Sequence, residues 1–186
     1  MIKLEKVALK NKILFIHHGG GIGGAPISML QLVSSLDKKK YEPTIIFTKP
    51  GPIVDLARSK GFNAKVVLLK SAFFYSDHVK IRKRMLFNYF VHYMSTINQT
   101  IDLLIKEKPS LVYLNTSVLL PVAKAINNQK IPLIWHIRET PGPNKFIRNW
   151  QLNIINELAD QIIVTSNYVK SYFENNNNIQ TIYNSI

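Results

Sequence analysis

The chain has 186 residues, of which 46% are hydrophobic, and its mean hydropathy is +0.01. This length suffices for one compact domain with a sizeable core, and the hydrophobic share excludes a disordered chain. The longest apolar runs, such as Leu111 to Leu114, have the length of strands, so no membrane span is predicted. The absence of cysteine excludes disulfides and thiolate metal sites, and residues 1–14 do not read as a secretion signal. We therefore expect a soluble, cytoplasmic protein.

The chain is strongly basic, with 24 Lys and Arg against 11 Asp and Glu and a formal net charge of +13. Most of the excess lies in residues 1–90, which carry 16 basic and 5 acidic side chains. Such a one-sided excess favours an anionic partner: nucleic acid, an anionic membrane or a phosphorylated ligand. A lysine-rich surface that only contacts solvent would give the same net charge. No nucleic acid partner is expected, because the basic residues accompany no helix-turn-helix, RNP or OB signature.

Strand-like and helix-like segments alternate along the whole chain. Short apolar runs predict strands at 12–17, 44–47, 64–69, 111–114, 133–137, 161–165 and 179–183. Three- and four-residue spacing of apolar positions predicts helices from Ala25, from about Ile53 to a C-terminal cap at Gly61, and at 77–108, 118–127, 146–159 and 168–175. This alternation predicts a doubly wound α/β domain with a parallel sheet of about seven strands, ordered 3-2-1-4-5-6-7, and helices on both faces.

A glycine-rich segment, residues 19–24, lies between the first strand and the first helix, where a doubly wound sheet places its ligand loop. Glycine lets the backbone approach an anion closely, and the helix start directs free N–H groups towards it. The spacing of Gly19, Gly21 and Gly24 also fits a dinucleotide-binding loop, but the second strand ends without an acidic residue to hold a ribose. An NADP-binding oxidoreductase using Lys49 therefore stays an alternative, as does a plain structural turn.

Polar residues follow three later strands and should gather at the same edge of the sheet, where open parallel sheets bind ligands. They are Asn115, Thr116 and Ser117 after the fourth strand, His136, Arg138 and Glu139 at the end of the fifth, and Ser166 after the sixth. A histidine beside an arginine and a glutamate suits the orientation of a hydroxyl, a phosphate or a reacting proton. A buried histidine bonded to backbone carbonyls, and a helix N-cap at residues 115–117, are the structural alternatives.

The order of these segments resembles the N-terminal half of a family 4 glycosyltransferase of the two-domain GT-B architecture. The resemblance is carried by Ile13 to His17, Gly23-Gly-Ala25, Pro109 to Leu114, His136-Ile-Arg-Glu139, Ala159 to Ser166 and Ile182-Tyr-Asn-Ser-Ile186. It covers nearly the whole chain, although Tyr183 and Ser185 replace the proline and glycine usual in the closing motif. It implies that residues 1–186 form a single Rossmann-like N-terminal domain and that the C-terminal nucleotide-sugar-binding domain is absent from this chain.

The resemblance implies the acceptor-binding half of a retaining glycosyltransferase of the hexosyltransferase type, active in surface polysaccharide or glycolipid synthesis. The expected substrates are a UDP- or GDP-linked sugar and a saccharide or lipid-linked acceptor, with no cofactor and no metal. His136 matches the family's histidine near the reacting sugar, and Gly23 and Gly24 lie near the donor phosphates. The expected binding residues are Gly20, Gly21, Gly23, Gly24, Asn115, Thr116, Arg138, Glu139 and Ser166. This half alone is expected to be inactive.

A basic segment precedes aromatic residues on the long helix. Its cations are Lys80, Arg82, Lys83 and Arg84, followed by Phe87 and Phe90. By resemblance to family members that glycosylate lipid-linked acceptors, this segment predicts a peripheral position on the inner face of an anionic membrane. A solvated helix end over a core stripe is the structural alternative, and a non-catalytic membrane-binding module is the functional one.

Overall fold

The computed structural model describes residues 10–76, 83–173 and 178–183, and its strands form one parallel sheet. The strands are β1 (Asn11–His17), β2 (Tyr41–Phe47), β3 (Ala64–Val66), β4 (Leu111–Leu114), β5 (Leu133–Ile137), β6 (Gln161–Val164) and β7 (Ile179–Thr181). The helices are α1 (Gly24–Ser35), α2 (Pro52–Ser59), α3 (Lys83–Glu107), α4 (Leu120–Asn128), α5 (Lys145–Leu158) and α6 (Asn167–Lys170). The strand order is β3-β2-β1-β4-β5-β6-β7, which confirms the predicted fold class and order.

The central strand β1 is apolar on both of its faces, as a buried parallel strand requires. Leu14 and Ile16 pack into the core beneath α3, α4 and α5. Ile13 and Phe15 pack into the second core, beneath α1 and α2. The sheet is therefore covered by α3, α4 and α5 on one face, and on the other face by α1 and α2, which lie over its β1–β3 half.

Helix α3 is fixed to the sheet by a buried ion cluster at the edge opposite the strands' carboxyl ends. Glu107, in its last turn, accepts hydrogen bonds from the Nζ atoms of Lys12 and Lys65, each at 2.7 Å. The glutamate side chain is 4% exposed, against 25% for Lys12 and 42% for Lys65. One carboxylate thus joins α3 to β1 and β3.

Three segments differ from the sequence-based prediction by three residues or more, and β7 ends at Thr181, two residues before its predicted end. β2 starts at Tyr41, three residues early, because its pairing with β1 continues through Pro43. β3 ends at Val66 instead of Leu69, since the chain then leaves the sheet and Phe73 N donates to Val118 O at 2.8 Å. α6 ends at Lys170, with Ser171 as its C-cap, so the helix predicted to continue to Asn175 is too long; residues 174 and 175 lie outside the described part of the chain. No helix in the described ranges is long and apolar enough to span a membrane.

Candidate functional site

Asn115 lies at the centre of the edge formed by the carboxyl ends of β1, β4 and β5. Its side chain is fully buried, and its amide nitrogen donates to the carbonyl oxygen of Ala25 at 3.0 Å. Its Oδ1 accepts from Nε of Arg138 at 3.1 Å. Its backbone carbonyl accepts a 3.2 Å hydrogen bond from the ring of His17, at the end of β1. One amide side chain therefore connects the loops that follow three parallel strands.

Arg138 is held at this edge by neighbouring side chains, among them Tyr113, with which it shares a hydrogen bond. Besides Asn115, its Nη1 donates to Oγ of Ser28 in the first turns of α1, at 3.0 Å. Burial lowers the pKa of Arg138, while Tyr113 and Glu139 oppose that shift. A guanidinium keeps its charge under such conditions, so the site holds a fixed cation next to the start of α1.

Glu139 closes the loop between β4 and α4. Its carboxylate accepts hydrogen bonds from Oγ1 of Thr116 at 2.7 Å and from the backbone N–H groups of Ser117 at 2.8 Å and Arg138 at 3.3 Å. Thr116 is itself fully buried. The structure thus brings Thr116 and Glu139, both predicted site residues, to the edge. Their hydrogen bond fixes the conformation of the loop between β4 and α4.

Of the five glycines in the loop, Gly20 is tightly packed, while Gly21, Gly23 and Gly24 have open space around them. A side chain at Gly20 would overlap the backbone of Pro50, and the Gly20 carbonyl accepts from Ile53 N at 3.2 Å. A Cβ at Gly21 or Gly24 would meet nothing within 4 Å, and one at Gly23 only the ring of Pro26 at 3.9 Å. Gly23 is the N-cap of α1 and contributes no side-chain cap, so the helix start is open to a ligand anion.

His136 does not lie at the edge with Arg138 and Glu139. It is 4% exposed and lines a groove of about 590 Å³ on the sheet face beside α1. Its Nδ1 is bonded to the hydroxyl of Tyr113, and its buried Nε2 has no partner among the described atoms. Burial, with the nearby charge of Arg138, lowers the pKa of His136 to about 3, so the ring is neutral. The groove also reaches Arg138 and Ser28, which connects His136 to the edge.

The other predicted residues lie apart from this cluster. Ser166 caps α6, its Oγ accepting from Val169 N at 3.2 Å. Lys83 and Arg84 are exposed at the start of α3, whereas Lys80 and Arg82 lie outside the described residues. Lys49, the residue invoked for NADP, has its Nζ 5.6 Å from the centre of the Phe74 ring. Within residues 10–76, 83–173 and 178–183, no group of three or more His, Asp or Glu side chains is placed to hold a metal ion.

The sequence model of glycosyltransferase family 4 matches residues 22–186, which is most of the chain. The chain belongs to this family. The comparison with curated proteins gives no match. The family whose model matches is the one that the sequence motifs resemble, and the strand order is the one predicted for it.

Three solved structures show how the fold of this chain compares with known proteins. One is Anabaena Alr3699/HepE in complex with UDP and glucose, with 17% identity and a TM-score of 0.65, over 95% of this chain and 45% of that chain. Another is the lipopolysaccharide outer core galactosyltransferase WaaB in its apo form, with 15% identity and a TM-score of 0.62, over 94% and 46%. A putative UDP-N-acetylglucosamine 2-epimerase from Listeria monocytogenes follows the same fold, with 13% identity and a TM-score of 0.63, over 92% and 44%. At these identities the likeness shows the fold alone, and the chain spans less than half the length of each.

Four residues of this family 4 chain contribute to the site without having been predicted as site residues: His17, His18, Ser28 and Tyr113. His18 has its ring 4.7 Å from that of His17 and a buried Nδ1 without a partner among the described atoms. Burial lowers the pKa of His18, with Glu139 opposing and Lys49 adding to the shift. The alternation of side chains along β4 and β5 places Tyr113 on the face of His136 and was the available signal for it. Ser28 had no such signal, because its contact depends on how α1 lies on the sheet.

Proposed function

We propose that the chain is the acceptor-binding half of a retaining glycosyltransferase of the hexosyltransferase type. It would transfer a sugar from a UDP- or GDP-linked donor to a saccharide or lipid-linked acceptor in the synthesis of surface polysaccharide or glycolipid. The observation that carries the proposal is the fixed guanidinium of Arg138 beside the open start of α1. A cation and unpaired helix N–H groups together suit the diphosphate of a nucleotide-sugar.

In this proposal, both backbone N–H groups and side chains of the site contact the nucleotide-sugar. The backbone N–H groups at Gly21, Gly23 and Gly24 stabilise the negative charge that grows on the diphosphate as the sugar leaves. Preorganised donors of this kind make a large contribution to catalysis because they need no rearrangement in the transition state. Arg138, held by Asn115 and Ser28, adds a positive charge at the same edge.

His136 is proposed to position the sugar as a neutral hydrogen-bonding group. Its lowered pKa, about 3, excludes a cationic role near neutral pH. Its Nε2 is the ring atom left for a ligand, since Nδ1 is bonded to Tyr113. Thr116, Glu139 and Ser166 fix the conformation of the loops that would contact the acceptor. They take no direct part in the transfer step.

Further parts of the proposal follow from the family resemblance. Transfer needs no metal ion or other cofactor, so it should continue in the presence of EDTA. The protein lies in the cytoplasm, on the inner face of the membrane, and its basic segment of Lys80, Arg82, Lys83 and Arg84 contacts anionic lipid. This half by itself is inactive, because most donor contacts belong to a second domain.

The test is a transfer assay on the protein that carries this chain, with UDP- and GDP-sugars and extracted lipid or saccharide acceptors. We expect release of the nucleoside diphosphate that requires an acceptor, and an NMR-determined anomeric configuration equal to the donor's. Arg138→Gln should reduce the rate by roughly tenfold to a hundredfold through lost charge stabilisation, whereas Lys106→Gln, at an exposed site far from the edge, should not. An Arg138→Gln rate equal to wild type would contradict the role of the edge cation.

The same assay separates the alternatives. An epimerase, suggested by the solved structure from Listeria monocytogenes, would alter the sugar of the nucleotide-sugar with no acceptor present. An NADP-binding oxidoreductase would bind NADPH in a calorimetric titration and would lose that binding in Lys49→Gln. Either result would replace the transferase proposal.

A further inference from the structure

A polar pocket of about 680 Å³ lies between α5 and the segment around α6, apart from the residues already assigned to the site. Its α5 wall carries polar side chains that recur every three or four residues, which places them on one side of that helix. They are Lys145, Asn149, Asn153 and Asn156. From the first of them to the last the helix rises by about 16 Å, so the pocket is elongated. We call it the α5–α6 pocket.

The opposite wall contains two tyrosines. Tyr168, on α6, is 61% exposed, and Tyr172 follows the end of that helix. Their ring centres are 5.3 Å apart, the ring planes are nearly perpendicular at 83°, and the two hydroxyl groups share a 2.6 Å hydrogen bond. The wall therefore offers a ligand both an aromatic face and phenolic hydroxyl groups.

Arg148 connects the two walls. Its guanidinium lies 4.9 Å from the centre of the Tyr172 ring, in a cation–π contact. Its Nη1 donates to the carbonyl oxygens of Gly142 and Pro143, each at 3.3 Å. The N–H groups on Nε and Nη2 have no partner among the described atoms, so these donors are available to a ligand. A planar guanidinium of this kind binds a carboxylate through two parallel hydrogen bonds.

The charge of the pocket is positive. Among the described residues that line it, Lys145 and Arg148 are cationic and none is acidic. Glu157, the acidic residue of α5, instead lines the groove on the side of that helix towards α3. Amide side chains can both donate to and accept from hydroxyl groups, aromatic faces can cover the apolar faces of sugar rings, and cations bind carboxylates. This combination suits a chain of sugars that carry carboxylate groups.

Single-stranded nucleic acid also combines rings with negative charge. Its successive bases stack on aromatic side chains, which must present their faces along the strand. Two rings crossed at 83° and joined through their hydroxyl groups do not form such a row. The three asparagines of the α5 wall likewise match hydroxyl groups better than phosphates, so the observations favour a saccharide.

We propose that the α5–α6 pocket binds an acidic saccharide chain, whose sugars carry carboxylate groups, and that this chain is the acceptor. The second statement rests on the proposed function and names its acceptor class. Both helices begin after the carboxyl ends of strands, so the pocket starts near the edge of Arg138 and Glu139 and extends away from it along α5. The carbonyl groups that Arg148 binds belong to the loop that also contains Glu139. The end of the acceptor that receives the sugar would lie at the edge, with the preceding sugars in the pocket.

The experiment is a calorimetric titration of the 186-residue chain with an oligomer of galacturonic acid and with a neutral oligomer of galactose of the same length. We expect the acidic oligomer to bind at least about tenfold more tightly, because its carboxylates form charge-assisted hydrogen bonds. Its binding should weaken as salt rises. Monomeric galacturonic acid, which spans only part of the pocket, and single-stranded RNA of the same charge should both bind more weakly than the acidic oligomer.

Variants of the pocket should weaken this binding according to the group that is removed. We expect a loss of about tenfold for Arg148→Gln, which removes a charge-assisted hydrogen bond, and about fivefold for Asn153→Ala, which removes a neutral one. Tyr168→Ala should cost about fivefold, because its exposed ring would cover a sugar. Arg148 also holds the loop before α5, so Lys145→Gln, at an exposed position, is a second test of charge and should cost about threefold.

Each kind of variant has a matched control outside the pocket. Lys106→Gln on α3 removes an exposed cation, Asn128→Ala at the end of α4 removes an exposed amide, and Phe146→Ala on α5 removes an 84% exposed ring. All three should bind the acidic oligomer as tightly as wild type. Circular dichroism of every variant checks that the fold is unchanged.

The outcomes separate this inference from the proposed function. In the transfer assay, Asn153→Ala and Tyr168→Ala should raise the KM for a long acidic acceptor more than the KM for a single sugar. Sugar transfer without binding of the acidic oligomer, or equal losses in the controls, would overturn the pocket and leave the transferase intact. Binding without any transfer would overturn the transferase and the acceptor role, and would support the pocket as a saccharide site. Equal affinity for the neutral oligomer, or tighter binding of RNA, would overturn the acidic saccharide as its ligand.

Discussion

The ion cluster of Glu107, Lys12 and Lys65 gives the sharpest stability prediction. Glu107→Gln keeps the shape of the side chain and removes its negative charge. The remaining amide oxygen can accept from one lysine, while its NH₂ group faces the other. The variant therefore loses one charge-assisted hydrogen bond outright and weakens the second.

The size of the loss follows from burial and exposure. A hydrogen bond to a charged group contributes about 1.5–3 kcal/mol when it is buried. The side chains of Lys12 and Lys65 are 25% and 42% exposed, so solvent screens the charges of their ammonium groups. The lower end of that range therefore applies. We expect Glu107→Gln to lower the free energy of unfolding by about 2 kcal/mol. For a domain of this size, this lowers the Tm by about 4–8 °C.

The pH dependence has a defined sign. Burial alone would raise the pKa of Glu107, but the hydrogen bonds and charges of Lys12 and Lys65 outweigh it and hold the pKa below its ordinary 4.5. A lowered carboxyl pKa means that the stabilisation is fully present above pH 4.5 and is lost as the pH falls below it. His17 and His136 have lowered pKa values of about 3, which reduces stability below pH 6.5 in wild type and variant alike.

Urea unfolding of wild type and Glu107→Gln, from pH 7 to below pH 4.5, measures this difference. The exposed Asp102→Asn, on the same helix, is the matched control and should change stability by less than about 0.5 kcal/mol. The reasoning is refuted if the two variants are equally stable at pH 7. It is refuted as well if the Glu107→Gln difference stays constant through the acid range.

Two further predictions concern the edge. Gly20→Ala should lower the Tm by several degrees because its Cβ would overlap Pro50, whereas Gly24→Ala, with open space around it, should leave thermal unfolding unchanged. Tyr113→Phe removes the hydroxyl that bonds to His136 and to Arg138, and leaves both ring nitrogens of the histidine without a partner among the described atoms, which should cost about 1–3 kcal/mol in urea unfolding. A Tyr113→Phe protein as stable as wild type would mean that these hydrogen bonds contribute nothing.

Much of the fold could be predicted because parallel strands are apolar on both faces and therefore stand out as short hydrophobic runs. β4 and β5 have their predicted bounds for this reason. β2 was predicted too short because its first residues, Tyr41-Glu-Pro43, are not an apolar run, although they pair with β1. β3 was predicted too long because Val67 and Leu69 are apolar for a different reason: they pack into the core from a segment that has left the sheet, while Leu68 between them is exposed.

The sequence predicted where in the fold the site lies, but it did not predict most of the contacts between the site residues. Topology alone brings Asn115 and Arg138 to one edge, and the structure confirms that they meet. The position of His136 depends on strand pleating, which turns its ring onto the face of β5 instead of the edge. The bond between Arg138 and Ser28 depends on the seating of α1, and no local pattern encodes that.

Asn115 ties together loops from the two halves of the sheet. Through one buried residue, the first turn of α1, the end of β1 and the arginine after β5 are mutually bonded. A displacement of any one of these segments that preserves the bonds must carry the others with it. We therefore expect these three segments to shift together, and not one by one, when a ligand binds at the edge.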